Sequence, residues 1–136
     1  MEKIGKYQVV KKLGEGATSE VYLGHDPFAD RDVAIKVVSS EALADEDSRK
    51  LFRKVFVTEA SLAGKLAHPH IVQIYDAVVD EGMSYVVMEY VDGGTLEPYC
   101  APNTLLPMDR IVEIIFKCTR ALDFANRAGE IGRAHV

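Results

Sequence analysis

The sequence predicts an α+β fold in which a five-stranded antiparallel sheet carries one helix and leads into a helical region. Two observations favour this class over a doubly wound sheet. Three strand-like segments follow one another without a helix between them, and a single helical segment separates them from two further strands. A glycine-containing break and a long helix come last. The 136 residues amount to one domain or less.

The strands and helices are predicted from hydrophobic periodicity and from the residues that end each segment. The five strands are residues 7–12, 20–24, 33–38, 71–79 and 83–89, with Gly82 in the turn between the last two. Helices are predicted over 47–66 and 108–128. Pro107 suits the start of the second helix and Gly129 its end.

Composition and charge exclude several classes of protein. A net charge of −5 argues against an electrostatic nucleic-acid surface. No apolar run reaches the length that crosses a bilayer, and the N-terminus lacks the apolar segment of a signal peptide. Cys100 and Cys118 form no CxxC pair, which indicates unpaired thiols in a reduced cytoplasmic setting.

The most informative segment is Leu-Gly-Glu-Gly-Ala-Thr-Ser-Glu-Val-Tyr at residues 13–22, followed by Val-Ala-Ile-Lys at 33–36. Gly14 and Gly16 allow a tight turn between two strands, and Lys36 lies on the next strand. A dinucleotide fingerprint would require a helix after the glycines, and a Walker loop would require Gly-Lys followed by Ser or Thr. Neither is present, so the candidates are an ordinary hairpin and a turn that covers a nucleotide's phosphates.

Lys36 stands in an apolar strand, where alternation places it on one face with Ala34 and Val38. A lysine buried there would need a partner, because buried lysines are almost always paired. The alternative is a surface lysine on an edge strand whose charged end reaches water.

Glu59 is the predicted partner of Lys36. It falls within an apolar stripe of the first helix, formed by Phe52, Val55, Phe56, Leu62, Ala63 and Leu66. A core-facing carboxylate without a cation would cost about 3–5 kcal/mol, so such a position calls for a lysine or arginine. Glu59 at the edge of the stripe, facing water, is the alternative.

Two further strings complete the pattern: His-Pro-His-Ile-Val at 68–72 and Tyr-Val-Val-Met-Glu-Tyr-Val-Asp-Gly-Gly-Thr-Leu at 85–96. In this order, over about residues 7–129, the motifs resemble those of the protein kinase family. The sequence of the motifs is similar to that of bacterial eukaryotic-like serine/threonine kinases. The resemblance implies an N-terminal lobe at 1–88 with an αC-type helix, a hinge at 89–94 and the start of an α-rich lobe at 95–129.

The resemblance also implies a site for ATP. The Lys36–Glu59 ion pair would be catalytic and would hold the lysine against the α- and β-phosphates. Met88 would be the gatekeeper behind adenine, with the carbonyl of Glu89 and the backbone of Val91 bonded to its edge. The full set of implied nucleotide-binding residues is Leu13, Gly14, Glu15, Gly16, Ala17, Thr18, Ser19, Val21, Ala34, Lys36, Met88, Glu89 and Val91, in which Leu13, Val21 and Ala34 form an apolar roof.

Two residues depart from the family pattern. Ser19 replaces the third glycine of the loop, so the loop tip should be stiffer and the terminal phosphate less closely positioned. His70 stands where asparagine is common. A metal site at His68 and His70 is disfavoured because no third ligand is nearby, and no metal ligand is assigned in this chain.

After Gly129 the family would have His-Arg-Asp and later Asp-Phe-Gly, whereas this chain reads Glu-Ile-Gly-Arg-Ala-His-Val. One interpretation is a pseudokinase or scaffold module that binds nucleotide without catalysis. We favour a non-native tail at 130–136, because DNA encoding these residues reads like sequencing-adapter sequence. The parent protein would then transfer phosphate from ATP, with Mg²⁺, to serine or threonine of a protein substrate, and this fragment would be inactive.

Overall fold

The computed structural model describes residues 2–39, 45–79 and 83–128. These residues form two compact units, one within Met1–Ala67 and Val72–Tyr90 and the other within His68–Ile71 and Val91–Val136. Gly82, Gly129 and the predicted non-native tail at 130–136 lie outside the described residues.

The first unit is built on one antiparallel sheet, which confirms the predicted fold class. Its strands are β1 (Lys3–Ile4), β2 (Tyr7–Glu15), β3 (Ser19–Asp26), β4 (Arg31–Ser39), β5 (Ile74–Val79) and β6 (Met83–Glu89). Their order across the sheet is β1-β2-β3-β4-β6-β5, and every neighbouring pair is antiparallel. The sixth strand is β1, a two-residue addition that turns into β2 at Gly5, whose φ is +58°.

One face of the sheet carries the hydrophobic core. Val33, Ile35 and Val87 are fully buried there, and Ile4, Tyr7 and Tyr85 complete the cluster of buried residues. Val37 packs against the same cluster. Strand alternation correctly groups Val33, Ile35 and Val37 on one face of β4, but it does not by itself indicate that this face, and not the face of Lys36, carries the core.

Helix α1 (Glu46–Ala63) begins one residue before its predicted start and ends three residues before its predicted end. The carboxylate of Asp45 caps it by accepting the amide of Ser48 at 2.6 Å. The helix packs against β5, at the edge of the sheet. No residue within Glu46–Ala63 is buried, and Val55 in the predicted apolar stripe is 50% exposed.

Strand β5 begins at Ile74 instead of at the predicted residue 71. The segment before it forms a turn, in which the amide of Ile71 donates to the carbonyl of His68 at 3.2 Å. Ile71 and Val72 are apolar and are therefore predicted as strand, but the backbone at Ile71 forms a turn.

The second unit contains a short 3₁₀ turn at Glu97–Tyr99 and helix α2 (Met108–Arg127). Pro107 precedes the helix with φ −55°, as its fixed geometry favours. Only Ala121 and Ala125 are buried in α2, while Met108, Ile115 and Phe116 are exposed. Across the described residues, neither helix has the combination of length and apolar sequence needed to span a bilayer.

Candidate functional site

A glycine-containing hairpin joins β2 to β3. Glu15 and Glu20 form the last cross-strand pair before the loop, and the amide of Gly16 donates to the carbonyl of Ser19 at 2.7 Å. Ala17 and Thr18 at the tip are exposed. The predicted strand–loop–strand arrangement is therefore present, and no helix follows the glycines.

The two glycines of this hairpin are not required by its backbone. Among the described glycines only Gly5 has a positive φ, so the turn that Gly14 and Gly16 were expected to allow does not use their conformational freedom. A Cβ built at Gly14 would meet no heavy atom within 4 Å. At Gly16 the nearest atom would be the Oγ of Ser19 at 3.4 Å, an ordinary contact. Their lack of a side chain leaves the backbone open to an approaching ligand.

Leu13 occupies an irregular position in β2. The register between β2 and β3 shifts between Lys12 and Gly14, so Leu13 lies in the bulge and is 41% exposed. Bulges commonly redirect a side chain at the rim of a site. The side chain predicted to begin the apolar roof is thus accessible next to the hairpin.

The face of the sheet opposite the core holds four of the predicted site residues, Val21, Ala34, Lys36 and Met88, and we call it the lysine face. Cross-strand partners share a face, so Leu23, Ala34 and Met88 form one row across β3, β4 and β6. The adjacent row is Val21, Lys36 and Val86. Leu23 and Val86 were not predicted as site residues, although extending the alternation of Val21 by two positions would have found Leu23.

Lys36 is exposed, which corrects the expectation of a buried lysine in an apolar strand. Alternation determines the face of a residue but not whether that face is covered, and α1 packs on β5 instead of over β4. Glu59 on α1 is exposed as well. Within the described residues no ion pair joins Lys36 to Glu59 at 4.0 Å or less, and the expectation that Glu59 faces the core is wrong for this conformation.

The gatekeeper candidate Met88 is half-buried and stands directly opposite Ala34 on the lysine face. Two hydrogen bonds fix the next residue: the amide of Glu89 donates to the carbonyl of Gln73 at 2.8 Å, and the amide of Gln73 donates to Oε1 of Glu89 at 3.1 Å. Val91 belongs to the second unit and is 63% exposed.

A concavity of about 300 Å³ also borders the hairpin. It is lined by the loop residues 16–19 and by Glu15, Glu20, Val37 and Ser39. Glu20 and Val37 are cross-strand partners on the core face, opposite Lys36. The carboxylates of Glu15 and Glu20 make this side of the loop less favourable for an anion than the lysine face.

The two histidines of the 68–72 string are held by local contacts. The amide of His70 donates to Nδ1 of His68 at 3.1 Å, and the ring of His68 lies 5.0 Å from that of Phe124. In the parts of the chain that the structure describes, no three His, Cys, Asp or Glu residues are grouped as a metal site.

Comparison with known proteins gives a consistent answer. The sequence model described as the protein kinase domain matches residues 7–131. The probable serine/threonine-protein kinase PknB of Lactococcus lactis is 40% identical, over 98% of this chain and 22% of that protein. The serine/threonine-protein kinase PrkC of Bacillus subtilis is 36% identical, over 90% of this chain and 18% of that protein.

Solved structures agree with the sequence matches. The crystal structure of the Mycobacterium tuberculosis PknI kinase domain superimposes with a TM-score of 0.73 at 32% identity. The match covers 93% of this chain and 51% of that one. The chain thus spans about a fifth of the length of the curated relatives and about half of the solved domain.

Proposed function

This chain belongs to the protein kinase family, and we propose that it is the ATP-binding part of a serine/threonine protein kinase that phosphorylates a protein substrate. Its relatives from Lactococcus lactis and Bacillus subtilis are named serine/threonine-protein kinases, which supports that amino-acid preference. We place the domain in the cytoplasm, where ATP is available and where Cys100 and Cys118 would remain the free thiols they are in the structure.

The observation that carries the proposal is the order of side chains on the lysine face. An apolar row of Leu23, Ala34 and Met88 lies directly beside the row that contains Lys36. Residues two apart on a strand are separated by roughly 7 Å, so a mostly buried apolar row, with Leu23 9% and Ala34 8% exposed, lies beside an exposed cation near the hairpin. A nucleotide has the matching arrangement of a flat apolar base and a chain of phosphates.

In our proposal, ATP would be bound on this face in the following way. Adenine would lie on the apolar row, with Met88 closing its inner side and the backbone carbonyl of Glu89 bonded to its edge. The phosphates would lie between Lys36 and the backbone of the hairpin at 14–19, where Gly14 and Gly16 permit close approach. Mg²⁺ bound with ATP would neutralise charge on the phosphates, as is general in the family.

The Lys36–Glu59 ion pair belongs to a second conformation in our proposal. The two residues lie within the same compact unit, on β4 and α1, and both are exposed. A shift of α1 from the sheet edge toward β4 would bring the carboxylate to the lysine. The pair would then fix Lys36 against the phosphates.

A nucleotide-binding module without catalysis is the second candidate, because Gly132 and Ala134 stand where the family motif has His and Asp. Both candidates require ATP binding, and only the kinase requires phosphate transfer by the parent protein. Sequence of the source gene after codon 129 would separate them through the presence or absence of His-Arg-Asp and Asp-Phe-Gly.

ATP binding can be tested on the chain itself by titration with a fluorescent ATP analogue and Mg²⁺. Lys36→Met should weaken binding roughly three- to tenfold, because a charge-assisted hydrogen bond is lost at a partly screened position. Gly14→Ala should weaken binding, because the added methyl group would occupy space that the phosphates approach. It should not change thermal stability, since a Cβ at Gly14 meets no protein atom within 4 Å.

The matched control is Lys54→Met, which removes the same charge from an exposed position on α1. Equal affinities of wild type, Lys36→Met and Gly14→Ala would overturn the assignment of the lysine face. Absence of saturable binding by the wild type would overturn the nucleotide itself.

A further inference from the structure

A charged network braces the stem of the glycine hairpin. Glu15 and Glu20 face each other at the last cross-strand pair before the loop. Like charges directly opposite on neighbouring strands are destabilising, so this pair by itself would push the two strands apart at the mouth of the loop.

Lys12 compensates this repulsion by contacting both carboxylates. Its Nζ lies 2.7 Å from Oε2 of Glu15 and 3.5 Å from Oε1 of Glu20. The hydrogen bond to Glu15 raises the pKa of Lys12, so the lysine stays charged at neutral pH. One cation thus bridges two strands that would otherwise repel.

From Glu20 the network extends to Tyr22 and the hydrophobic core. The hydroxyl of Tyr22 donates to Oε2 of Glu20, while Lys12 contacts the other oxygen, so both carboxylate oxygens have a partner. The bond from Tyr22 lowers the pKa of Glu20 and keeps it ionised. The ring of Tyr22 packs against the core cluster and stands opposite Lys12 across the β2–β3 pair.

The position of the network separates it from the nucleotide. Glu20 and Tyr22 lie opposite Val37 and Ile35, on the core face of the sheet. Lys36 and the apolar row lie on the other face. The network therefore lies at the back of the hairpin, where it can act on a ligand through the shape of the loop or through its charge but not by direct contact.

We propose that Lys12 is a positioning residue that holds the hairpin closed, and that it thereby sets the affinity for the phosphates of ATP without contacting them. The effect on ATP rests on the proposed function, whereas the effect on the hairpin does not. The two are therefore measured separately.

The hairpin is tested without nucleotide by hydrogen exchange at the amide of Gly16, which closes the loop through Ser19. Lys12→Met should raise the exchange rate of this amide about threefold or more, as expected for loss of an exposed ion-pair network. Lys12→Arg should restore protection because it keeps the charge. Lys3→Met is the control, an exposed strand lysine far from the loop. Unchanged exchange in Lys12→Met would overturn the proposal.

The effect on the ligand is tested by a double-mutant cycle with the fluorescent ATP analogue and Mg²⁺. Lys12→Met should weaken binding about threefold in the wild-type background. In a Glu20→Gln background, where the like-charge pair no longer exists, the same substitution should have a smaller effect.

The outcomes distinguish the role of Lys12 in the hairpin from the proposed binding of ATP. Equal effects of Lys12→Met in both backgrounds would mean that the lysine acts as a plain surface charge, which contradicts the bracing role. If the wild type binds no ATP while Gly16 exchange still depends on Lys12, the brace stands and the proposed function fails. In the parent enzyme, Lys12→Met should raise KM for ATP more than it lowers kcat.

Discussion

Replacing Tyr7 with phenylalanine should destabilise the first unit by an amount that depends on pH. Tyr7 is 3% exposed in the core cluster, and its hydroxyl donates to Oδ2 of Asp76 at 3.3 Å. The contact links the start of β2 to the edge strand β5, 69 positions away in the sequence. At pH 8 we expect Tyr7→Phe to lose about 1 kcal/mol of unfolding free energy, the usual net value of one hydrogen bond.

The pH dependence follows from the pKa of Tyr7. Burial, followed by the negative charge of Asp76, raises this pKa from 10.0 to about 12. Between these values the folded protein keeps a proton that the unfolded chain has lost, so stability falls as pH rises. The contribution is complete below pH 10 and is lost as pH approaches 12. A shift of two units corresponds to at most about 3 kcal/mol, of which we expect about 1 kcal/mol because Asp76, which supplies part of the shift, is only partly buried.

The assay is urea unfolding followed by far-UV circular dichroism at pH 8, 10 and 11.5, for wild type and Tyr7→Phe. Other tyrosines and lysines titrate in both proteins, so the difference between them isolates Tyr7. That difference should shrink above pH 10 by about 1 kcal/mol. Tyr99→Phe, at an exposed position in the second unit, is the control. A difference that stays constant from pH 8 to 11.5 would refute the role assigned to burial and Asp76.

Three further predictions concern the site. In the complete parent protein, Lys36→Ala should abolish turnover, because the lysine would no longer hold the phosphates of ATP. The circular dichroism spectrum should stay unchanged, because Lys36 is exposed. Near-normal activity would exclude a catalytic role for Lys36. Met88→Gly should admit bulky adenine analogues that the parent excludes, since it removes the side chain opposite Ala34, and equal inhibition of both forms would count against the gatekeeper. The 136-residue chain should transfer no phosphate from labelled ATP to a generic protein substrate above a control without enzyme, and the exposed Met108, Ile115 and Phe116 should make it poorly soluble.

The parts of the fold that sequence predicts well are those in which local pattern and tertiary burial agree. Strand β6 has its predicted bounds, and alternation correctly groups Val33, Ile35 and Val37 on one face of β4. Strand β1 could not be predicted, because two residues carry no periodicity and it exists only through pairing with β2 and burial of Ile4. The start of β5 is predicted three residues too early, because Ile71 is apolar but lies in a turn.

The candidate site shows which features a sequence pattern predicts and which depend on tertiary packing. Alternation placed Ala34 and Lys36 on the same face, and the register of the sheet adds Met88 opposite Ala34. The spacing of Glu59 within an apolar stripe indicated a buried carboxylate, but burial depends on where a helix docks. With α1 at the sheet edge, that stripe is only partly covered and the predicted ion pair is not formed in the described structure.

The free energies involved indicate what would drive α1 toward Lys36. An ion pair between two exposed side chains contributes about 0–1 kcal/mol, too little to hold a helix in a new position. Val55 lies one turn before Glu59 on the same side of α1 and is 50% exposed, so docking that side on the sheet would bury apolar surface as well. At about 25 cal/mol per Å², covering roughly 100 Å² adds about 2.5 kcal/mol. Apolar burial by the helix would thus supply most of the stabilisation, and the Lys36–Glu59 pair would select the register at which the helix docks.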